Sequence, residues 1–309
     1  MNLVSIAMTT YNGEKFIKEQ IDSLLHQTYK NLEIIICDDG STDKTIEVIK
    51  EYEQKDKRIK FYQNEKNLGV LKNFEKAISL CSGEYIALCD QHDIWIKNKI
   101  EILLQEIGNN ILIFHDDKLI DENGVIKEES FWKKIGIKNH LENHYKLYVN
   151  YYITGHSLFF KSSLKKSILP IPNDFYLFDL WPILIALKIG TIKQIDKQLV
   201  IWRQHDKNTS GNKIKERSLF EKVFKPIDWK TFIDWNKNRI VRLNILLDNE
   251  IFTDDKKFIK DLINYYSLEN RFLAMIFAMK NINLIVQERG ILRKIKYILL
   301  PFYAPRVIL

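Results

Sequence analysis

The first 110 residues alternate short apolar runs with longer segments whose apolar residues recur at helical spacing. Short runs rich in β-branched residues predict buried strands, and the longer segments predict amphipathic helices. The predicted strands are Leu3–Met8, Glu33–Cys37, Ile59–Gln63, Tyr85–Cys89 and Ile111–Phe114. The predicted helices are Glu14–Gln27, a segment ending near Gln54, Val70–Leu80 and Trp95–Ile107. This alternation favours an α/β fold with a mostly parallel central sheet and right-handed crossovers.

Polar turns follow three of the predicted strands, at Thr9–Gly13, Asp38–Asp43 and Asp90–Asp93. Ligands of open α/β sheets bind beyond the carboxyl ends of the strands. We therefore expect the three turns to line one site.

Two adjacent carboxylates, Asp38 and Asp39, begin the second turn. Because they repel each other, they need hydrogen-bond donors or a cation. One interpretation is turn and helix-cap chemistry. The other is that one carboxylate accepts hydrogen bonds from a nucleotide base or ribose.

The third turn, Asp90-Gln91-His92-Asp93, places carboxylates and an imidazole within four residues. Such groups can hold Mn²⁺ or Mg²⁺. A bound cation would neutralise a leaving diphosphate. A polar turn that caps the next helix is the alternative.

Four motifs in this order resemble family 2 glycosyltransferases, and most closely the bacterial rhamnosyltransferase-like members that build surface polysaccharides. They are Val4–Asn12, Cys37–Asp43, Asn67–Gly69 and Asp90–Trp95. The resemblance implies a GT-A fold, Rossmann-like and flanked by helices, and inverting transfer from a UDP-, GDP- or dTDP-sugar. It covers roughly residues 1–212, which we expect to comprise a nucleotide-sugar-binding part (1–110) and an acceptor part (111–212).

The resemblance also implies roles for single residues. The residues assigned to the donor nucleotide are Thr9, Tyr11, Asn12, Asp39, Asn67 and Asp90. The third position of the acidic motif is usually an aspartate that ligates the metal, but here it is His92. Imidazole suits Mn²⁺ less well than carboxylate does. Either His92 holds the metal with neighbouring carboxylates, or metal dependence is weakened.

Phe178-Asp179-Leu180-Trp181 resembles a family segment, His-Asp-Trp-Trp, whose aspartate is the catalytic base; the preceding His is missing here. An apolar setting raises a carboxylate pKa, which would help Asp179 to accept a proton near neutral pH. The alternative is a capping aspartate before a helix with Pro182 in its first turn.

The segment Trp202–Asn208 resembles the family's Tyr-Arg-Gln-His-x-x-Asn. We expect Arg203 to neutralise phosphate charge in the donor site. His205 would complete the metal site with Asp90 and His92. A surface loop is the alternative for this segment.

The net charge of +7 resides in the tail, because residues 213–309 hold 19 basic and 11 acidic side chains. This distribution argues against a general nucleic-acid-binding surface. The tail predicts a helical C-terminal region. Its apolar residues Ile291, Leu292, Ile295, Ile298, Leu299 and Phe302 recur at helical spacing between basic ones. Such a helix can lie on an anionic membrane or pack on the domain.

The three cysteines have no metal-binding spacing, and an odd number without a secretory leader favours reduced thiols. No apolar stretch is long enough to predict a membrane span. We expect a cytoplasmic protein, peripheral at the inner face of the plasma membrane if the tail binds lipid.

Two other functions stay open. A nucleotidyltransferase shares a similar sheet and metal requirement, but it usually has a Gly-rich loop after strand one, where this chain has Thr-Thr-Tyr-Asn-Gly. The second is a non-catalytic, nucleotide-binding member of the family, because His92 replaces the aspartate that usually ligates the metal.

Overall fold

The computed structural model describes residues 2–136, 139, 141, 143–149, 151–205, 229–285 and 291–304. The chain divides into two compact units. The first comprises residues 1–142, 152–173 and 177–212, and the second comprises 143–151, 174–176 and 213–309. The division predicted near residue 212 stays a prediction, because residues 206–228 lie outside the described part.

The first unit contains a mixed sheet. Its strands are β1 Val4–Thr10, β2 Leu32–Asp38, β3 Ile59–Gln63, β4 Tyr85–Cys89, β5 Ile94–Trp95, β6 Leu112–Asp121, β7 Ile126–Glu128, β8 Phe159–Lys161 and β9 Ile192–Gln204. The strand order in the described sheet is β3-β2-β1-β4-β8-β6-β9-β5, with β7 beside β6. β3, β2, β1 and β4 are parallel, whereas β8 is antiparallel to both neighbours. The carboxyl ends of β1, β2 and β4 therefore share one edge, and each leads into a polar turn.

The helices of the described residues are, in chain order, α1 Ile17–Leu25, α2 Thr45–Lys55, α3 Val70–Leu80, α4 Lys99–Ile107, α5 Phe131–Ile135, α6 Tyr145–Val149, α7 Lys165–Ile168, α8 Leu180–Ile189, α9 Trp229–Asp248, α10 Lys256–Ser267, α11 Arg271–Lys280, α12 Ile282–Ile285 and α13 Ile291–Tyr303. In α1 the residues Ile17, Ile21 and Leu24 are buried, at the spacing of one helix face. Burying each such side chain contributes about 1.5–3 kcal/mol. The apolar stripe of α1 therefore holds this helix on the core.

Local sequence pattern misses one strand pairing in the first unit. Trp95 was expected in a helix, but Ile94 and Trp95 pair with Ile201 and Val200 of β9. The helix α4 begins only at Lys99. This expectation was wrong because the pairing partner lies far along the chain, where helical spacing carries no information about it.

The strand β6 is longer than the predicted Ile111–Phe114 and continues to Asp121. Its middle residues His115, Asp116 and Asp117 are polar, and all three are buried. The register against β9 shifts at these residues, as bulges do when they re-aim side chains. The second half of β6 was not predicted, because its buried polar residues interrupt the apolar pattern that indicates a buried strand.

The described part of the second unit is helical, which confirms the predicted helical C-terminal region. In α13 the side chains of Leu299 and Phe302 are 47% and 52% exposed, whereas Leu300 is buried. The side chains of Ile291, Leu292 and Ile295 lie outside the described part. None of the helices in the described ranges combines the length and apolar character that a membrane span requires.

Candidate active site

A cavity of about 870 Å³ opens at the carboxyl ends of β1, β2 and β4. All three polar turns contribute to it. The lining residues that carry the argument are Thr9, Tyr11, Asn12, Asp39, Asn67, Asn73, Asp90, His92 and His205. The cavity is large enough for a nucleotide-sized ligand and contains carboxylate, amide and imidazole groups.

Gln91 and Asn12 fix the turn after β1. The Tyr11 amide donates to Gln91 Oε1 over 2.8 Å, and Gln91 Nε2 donates to the Tyr11 carbonyl over 2.9 Å. Asn12 has a left-handed φ of 47°, and its Oδ1 accepts from the Thr42 amide over 2.8 Å. A Cβ at Gly13 would lie 2.2 Å from Gln91 Oε1. These hydrogen bonds therefore hold the turn, and a side chain at residue 13 would displace the Gln91 amide that makes two of them.

Asp38 and Asp39 have different roles. Asp38 is fully buried and accepts hydrogen bonds from Thr10 Oγ1 at 2.8 Å and from the Ser41 amide at 2.8 Å, so it shapes the turn. Asp39 lines the cavity, and it accepts hydrogen bonds from the backbone amides of Leu68 and Gly69 at 2.7 and 2.9 Å. The turn interpretation is therefore confirmed for Asp38, whereas a contact of Asp39 with a nucleotide stays a prediction.

His156 lies among three carboxylates of the first unit. Its Nδ1 is 3.2 Å from Asp90 Oδ2 and 3.1 Å from Asp93 Oδ2, and its Nε2 is 3.2 Å from Asp117 Oδ2. Burial alone would lower the pKa of His156, but the carboxylates of Asp117 and Asp93 hold it well above its usual value. In the absence of a cation, His156 is therefore an imidazolium that offsets part of the aspartate charge.

Lys99 is a second buried basic side chain, next to His156. It is 0% exposed, its Nζ donates to the His156 carbonyl over 2.7 Å, and it lies 3.7 Å from the centroid of the Trp95 ring. Burial lowers the pKa of Lys99 to about 7. The hydrogen bond and the cation–π contact offset part of the cost of burying the ammonium.

His92 and His205 meet at the cavity. Their ring centroids are 4.7 Å apart in an edge arrangement, and both residues line the cavity with Asp90. Asp93 and His156 are buried and do not line it. Among the described residues, the imidazoles that line the cavity are those of His92 and His205.

Arg203 holds the backbone of the acidic motif. Its Nε donates to the His92 carbonyl over 3.0 Å, and its amide donates to Asp93 Oδ1 over 3.0 Å. Its guanidinium also pairs with Glu19. Arg203 is 3% exposed and is not among the cavity-lining residues. Its assignment to the donor phosphate stays a prediction, whereas its contacts to the motif are visible.

Asp179 is the residue before α8, and its carboxylate accepts a hydrogen bond from the Leu180 amide over 3.1 Å. Burial raises the pKa of Asp179 to about 7, and the charge of Asp90 adds to this effect. A Cβ built on Gly155 would lie 3.3 Å from Asp179 Cβ and 3.1 Å from Phe178 Cζ. The turn that carries His156 therefore also packs against Asp179. Both the capping role and a pKa suited to a general base are present.

The donor set fits a divalent cation. Among the described residues, one ligand atom each of Asp90, Asp93 and His156 lie within 4.8 Å of one another. Asp93 Oδ2 makes no hydrogen bond in that part of the chain. Carboxylate oxygens with imidazole nitrogens are ligands that Mn²⁺ accepts, and Mg²⁺ prefers the oxygens.

Sequence reasoning missed three residues of this site. His156, Asp117 and Lys99 lie in three different elements. The pair Asp116-Asp117 at a strand was visible in the sequence, but nothing there connects it with His156. Only the sheet, which places β6 and the turn before β8 close together, brings these groups into contact.

The mixed sheet, with a carboxylate-lined cavity at its strand ends, defines an α/β protein of the GT-A type. The sequence matches the profile of "Glycosyl transferase family 2" over residues 5–168. The chain therefore belongs to glycosyl transferase family 2, which confirms the resemblance to the family. The likeness to the rhamnosyltransferase-like members stays a prediction.

Individual relatives agree with this assignment. The chain is 34% identical to "Uncharacterized glycosyltransferase MJ1057" of Methanocaldococcus jannaschii over 241 residues, 74% of this chain and 80% of that protein. A second relative is the Escherichia coli "UDP-Glc:alpha-D-GlcNAc-diphosphoundecaprenol beta-1,3-glucosyltransferase WfgD". The two sequences are 37% identical over 143 residues, which cover 46% of this chain and 56% of WfgD. The solved Staphylococcus aureus TarS 1-349 superposes with a TM-score of 0.59 at 17% identity, covering 97% of this chain and 80% of TarS 1-349. The last likeness shows the fold alone.

Proposed function

We propose that this glycosyltransferase moves a sugar, with inversion, from a nucleotide-sugar donor to a saccharide or lipid-linked acceptor in bacterial surface polysaccharide synthesis. The observation that supports it most is the joint lining of one cavity by Asp39 and the acidic motif. WfgD, whose name describes transfer from UDP-Glc to a lipid-linked diphosphate acceptor, supports the donor and acceptor classes.

In this mechanism Asp179 acts as the general base. Its carboxylate takes the proton from an acceptor hydroxyl, and the oxygen attacks the anomeric carbon from the face opposite the nucleoside diphosphate. The bond from that carbon to the diphosphate oxygen breaks, and the diphosphate leaves with the bonding electron pair. One displacement of this kind inverts the anomeric configuration. The pKa of about 7 makes Asp179 a competent proton acceptor at neutral pH.

Asp90, His92 and His205 are proposed to hold the divalent cation, Mn²⁺ or Mg²⁺, which neutralises diphosphate charge when bound. Calorimetric titration with Mn²⁺ tests this ligand set. We expect His92→Ala to weaken Mn²⁺ binding by roughly tenfold or more, as loss of a ligand does. If only His156→Gln weakened binding, the buried set of Asp90, Asp93 and His156 would hold the ion instead.

Incubation of the purified chain with a panel of nucleotide sugars and lipid-linked or simple saccharide acceptors tests the activity. Release of nucleoside diphosphate together with a glycosylated product of inverted configuration is expected. Release of pyrophosphate from a nucleoside triphosphate would favour a nucleotidyltransferase. Failure to bind UDP, GDP or dTDP, with and without Mn²⁺, would support a non-catalytic protein.

We also propose that the C-terminal helical region places the enzyme on the inner face of the plasma membrane. The exposed side chains of Leu299 and Phe302 and the basic residues around them support this location. A lipid-linked acceptor would then be presented at the surface where the enzyme lies.

A further inference from the structure

The hydrogen-bonding capacity of Asp39 is almost fully used within the protein. A carboxylate offers about four acceptor positions, two on each oxygen. Oδ1 accepts from Asn64 Nδ2 at 2.8 Å and from the Leu68 amide at 2.7 Å. Oδ2 accepts from the Gly69 amide at 2.9 Å. Within the described residues, one acceptor position of Asp39 is thus left for a ligand, and it belongs to Oδ2.

Lys76 fixes the orientation of the Asn64 amide that occupies Oδ1. Lys76 Nζ donates to Asn64 Oδ1 over 2.7 Å, so this oxygen cannot be turned toward Asp39 without losing a charged hydrogen bond. Asn64 Nδ2 donates to Asn73 Oδ1 as well, over 2.9 Å. Asn64 is 4% exposed. The amide is therefore held with its N–H groups toward Asp39 and Asn73, and water does not compete for this contact.

Two further amides line the cavity with Asp39. Asn67 Nδ2 donates to the Asp39 carbonyl over 3.1 Å, and Asn73 Nδ2 donates to the Cys37 carbonyl over 2.9 Å. A side-chain amide has two N–H groups, and within the described residues each of these two amides donates one of them to a backbone carbonyl. The cavity therefore offers one carboxylate acceptor position together with amide donors.

The nucleobases differ in the groups that they would present to such a site. Uracil and thymine have one N–H between two carbonyls, which matches a single acceptor with donors nearby. Guanine presents two adjacent donors, N1–H and N2–H₂, which pair with a carboxylate only when both oxygens are available. Cytosine and adenine have an unprotonated ring nitrogen at this edge, which a carboxylate repels.

We propose that Asn64, held by Lys76, restricts Asp39 to one hydrogen-bond donor and so selects donor nucleotides whose base is uracil or thymine. The inference rests on the proposed function, in which Asp39 binds the base of a nucleotide-sugar donor. It adds that Asn64 and Lys76, which do not line the cavity, determine which base is accepted.

Isothermal titration of the unmodified chain with UDP, dTDP, GDP, CDP and ADP in the presence of Mn²⁺ tests the selectivity. UDP and dTDP are expected to bind at least tenfold more tightly than the other three, the worth of about one hydrogen bond to a charged group. GDP binding as tight as UDP binding would overturn the selectivity and leave sugar transfer intact. If no nucleotide bound, the proposed function itself would fail.

Asn64→Ala tests the role of the amide, because it frees one position on Oδ1. The ratio of UDP to GDP affinity should fall by roughly tenfold, with GDP gaining relative to UDP. Ser79→Ala is the matched control on α3, since the Ser79 hydroxyl contacts only the Lys76 carbonyl in the described part; its ratio should stay unchanged. An equal loss of affinity for all nucleotides in Asn64→Ala would refute the role of Asn64.

Discussion

One carboxylate, that of Asp179, carries the proposed proton transfer. Replacing it by the isosteric amide in Asp179→Asn removes the base and leaves the cap position polar. We expect the rate of sugar transfer to fall by about 10²–10⁴-fold, the usual contribution of a general base. Nucleotide affinity should change little, because Asp179 is not among the residues that line the cavity. Steady-state transfer assays and calorimetry with the same preparations measure both quantities.

Asp174→Asn is the matched control for this substitution, because Asp174 is an exposed aspartate five residues upstream. It should keep full activity. Thermal unfolding supplies an independent readout. The folded-state pKa of Asp179 is raised above its unfolded value, so the charged form costs stability above the unfolded pKa. Asp179→Asn should therefore be more stable than the parent at pH 8, and the gain should vanish near pH 4. Full transfer activity in Asp179→Asn would remove the base from the mechanism.

The raised pKa of Asp179 also predicts the pH profile of the reaction. A general base works only when deprotonated, so kcat/KM should rise with pH up to about 7 and level off above it. A carboxylate at its ordinary pKa near 4 would instead give a flat profile from pH 5 to 8. The profile should be recorded at saturating cation concentration. A flat profile over this range would show that no group with the pKa of Asp179 controls the step.

Much of the candidate site could be predicted from single motifs, but the charge balance around it could not. The positions of Asp39, Asp90 and His92 at the cavity follow from strand ends that share one edge. The contacts of His156 and Lys99 with the aspartate cluster were not predicted, because nothing in the sequence connects either residue with the acidic motif. Their role depends on contacts between β6, α4 and the turn before β8, which only the folded sheet creates.

The short turn Gly155–Ser157 is the element that connects the acidic motif with the base. Its His156 side chain contacts the aspartates, and Gly155 packs against Phe178 and Asp179. In Gly155→Ala the new Cβ would lie 3.1 Å from Phe178 Cζ and 3.3 Å from Asp179 Cβ, so these two side chains must give way by a few tenths of an ångström. We expect transfer activity to drop by roughly tenfold or more, since small displacements of catalytic groups are costly.

Gly190→Ala is the control for this turn. A Cβ at residue 190 would lie 3.1 and 3.3 Å from two side-chain atoms of Ile111. These distances equal the closest ones at residue 155, but Ile111 is not among the residues that line the cavity. Activity should then be close to that of the parent chain, while both variants lose similar stability in denaturant unfolding. If the two variants lost activity equally, the loss in Gly155→Ala would be explained by general destabilisation, and the prediction for this turn would be wrong.

Elements differed in how well the sequence predicted them. The bounds of β3, α3 and β4 coincide with the predicted ones, because a local pattern of apolar residues marks each of them. The strands β8 and β9 fall in the region after Glu128, where no regular pattern was recognised. β9 pairs with β6 and β5, and half-exposed residues dilute its apolar pattern. Its position depends on distant partners rather than on its own periodicity.

For the molecule as a whole, the distribution of charge and exposed apolar side chains predicts binding to anionic membranes. Residues 213–309 carry the basic excess, and Leu299 and Phe302 are exposed on α13. On the neighbouring α11, Phe272 and Met279 are 62% and 57% exposed. Exposed apolar groups among basic ones are typical of surfaces that enter the interface of a bilayer.

Sedimentation with vesicles of phosphatidylcholine containing phosphatidylglycerol tests this prediction. The full chain should bind these vesicles but not vesicles of pure phosphatidylcholine, because each basic residue near an anionic surface contributes about 1 kcal/mol of attraction. Binding should weaken as the salt concentration rises, since salt screens this attraction. Phe302→Ser should reduce binding by roughly tenfold, because burial of a large apolar side chain is worth about 1.5–3 kcal/mol. Val125→Ser, at a 55% exposed apolar residue of the first unit, should bind like the parent chain. If Phe302→Ser bound equally well, the helix would instead pack on protein, and an acceptor in the membrane would have to be reached by another surface.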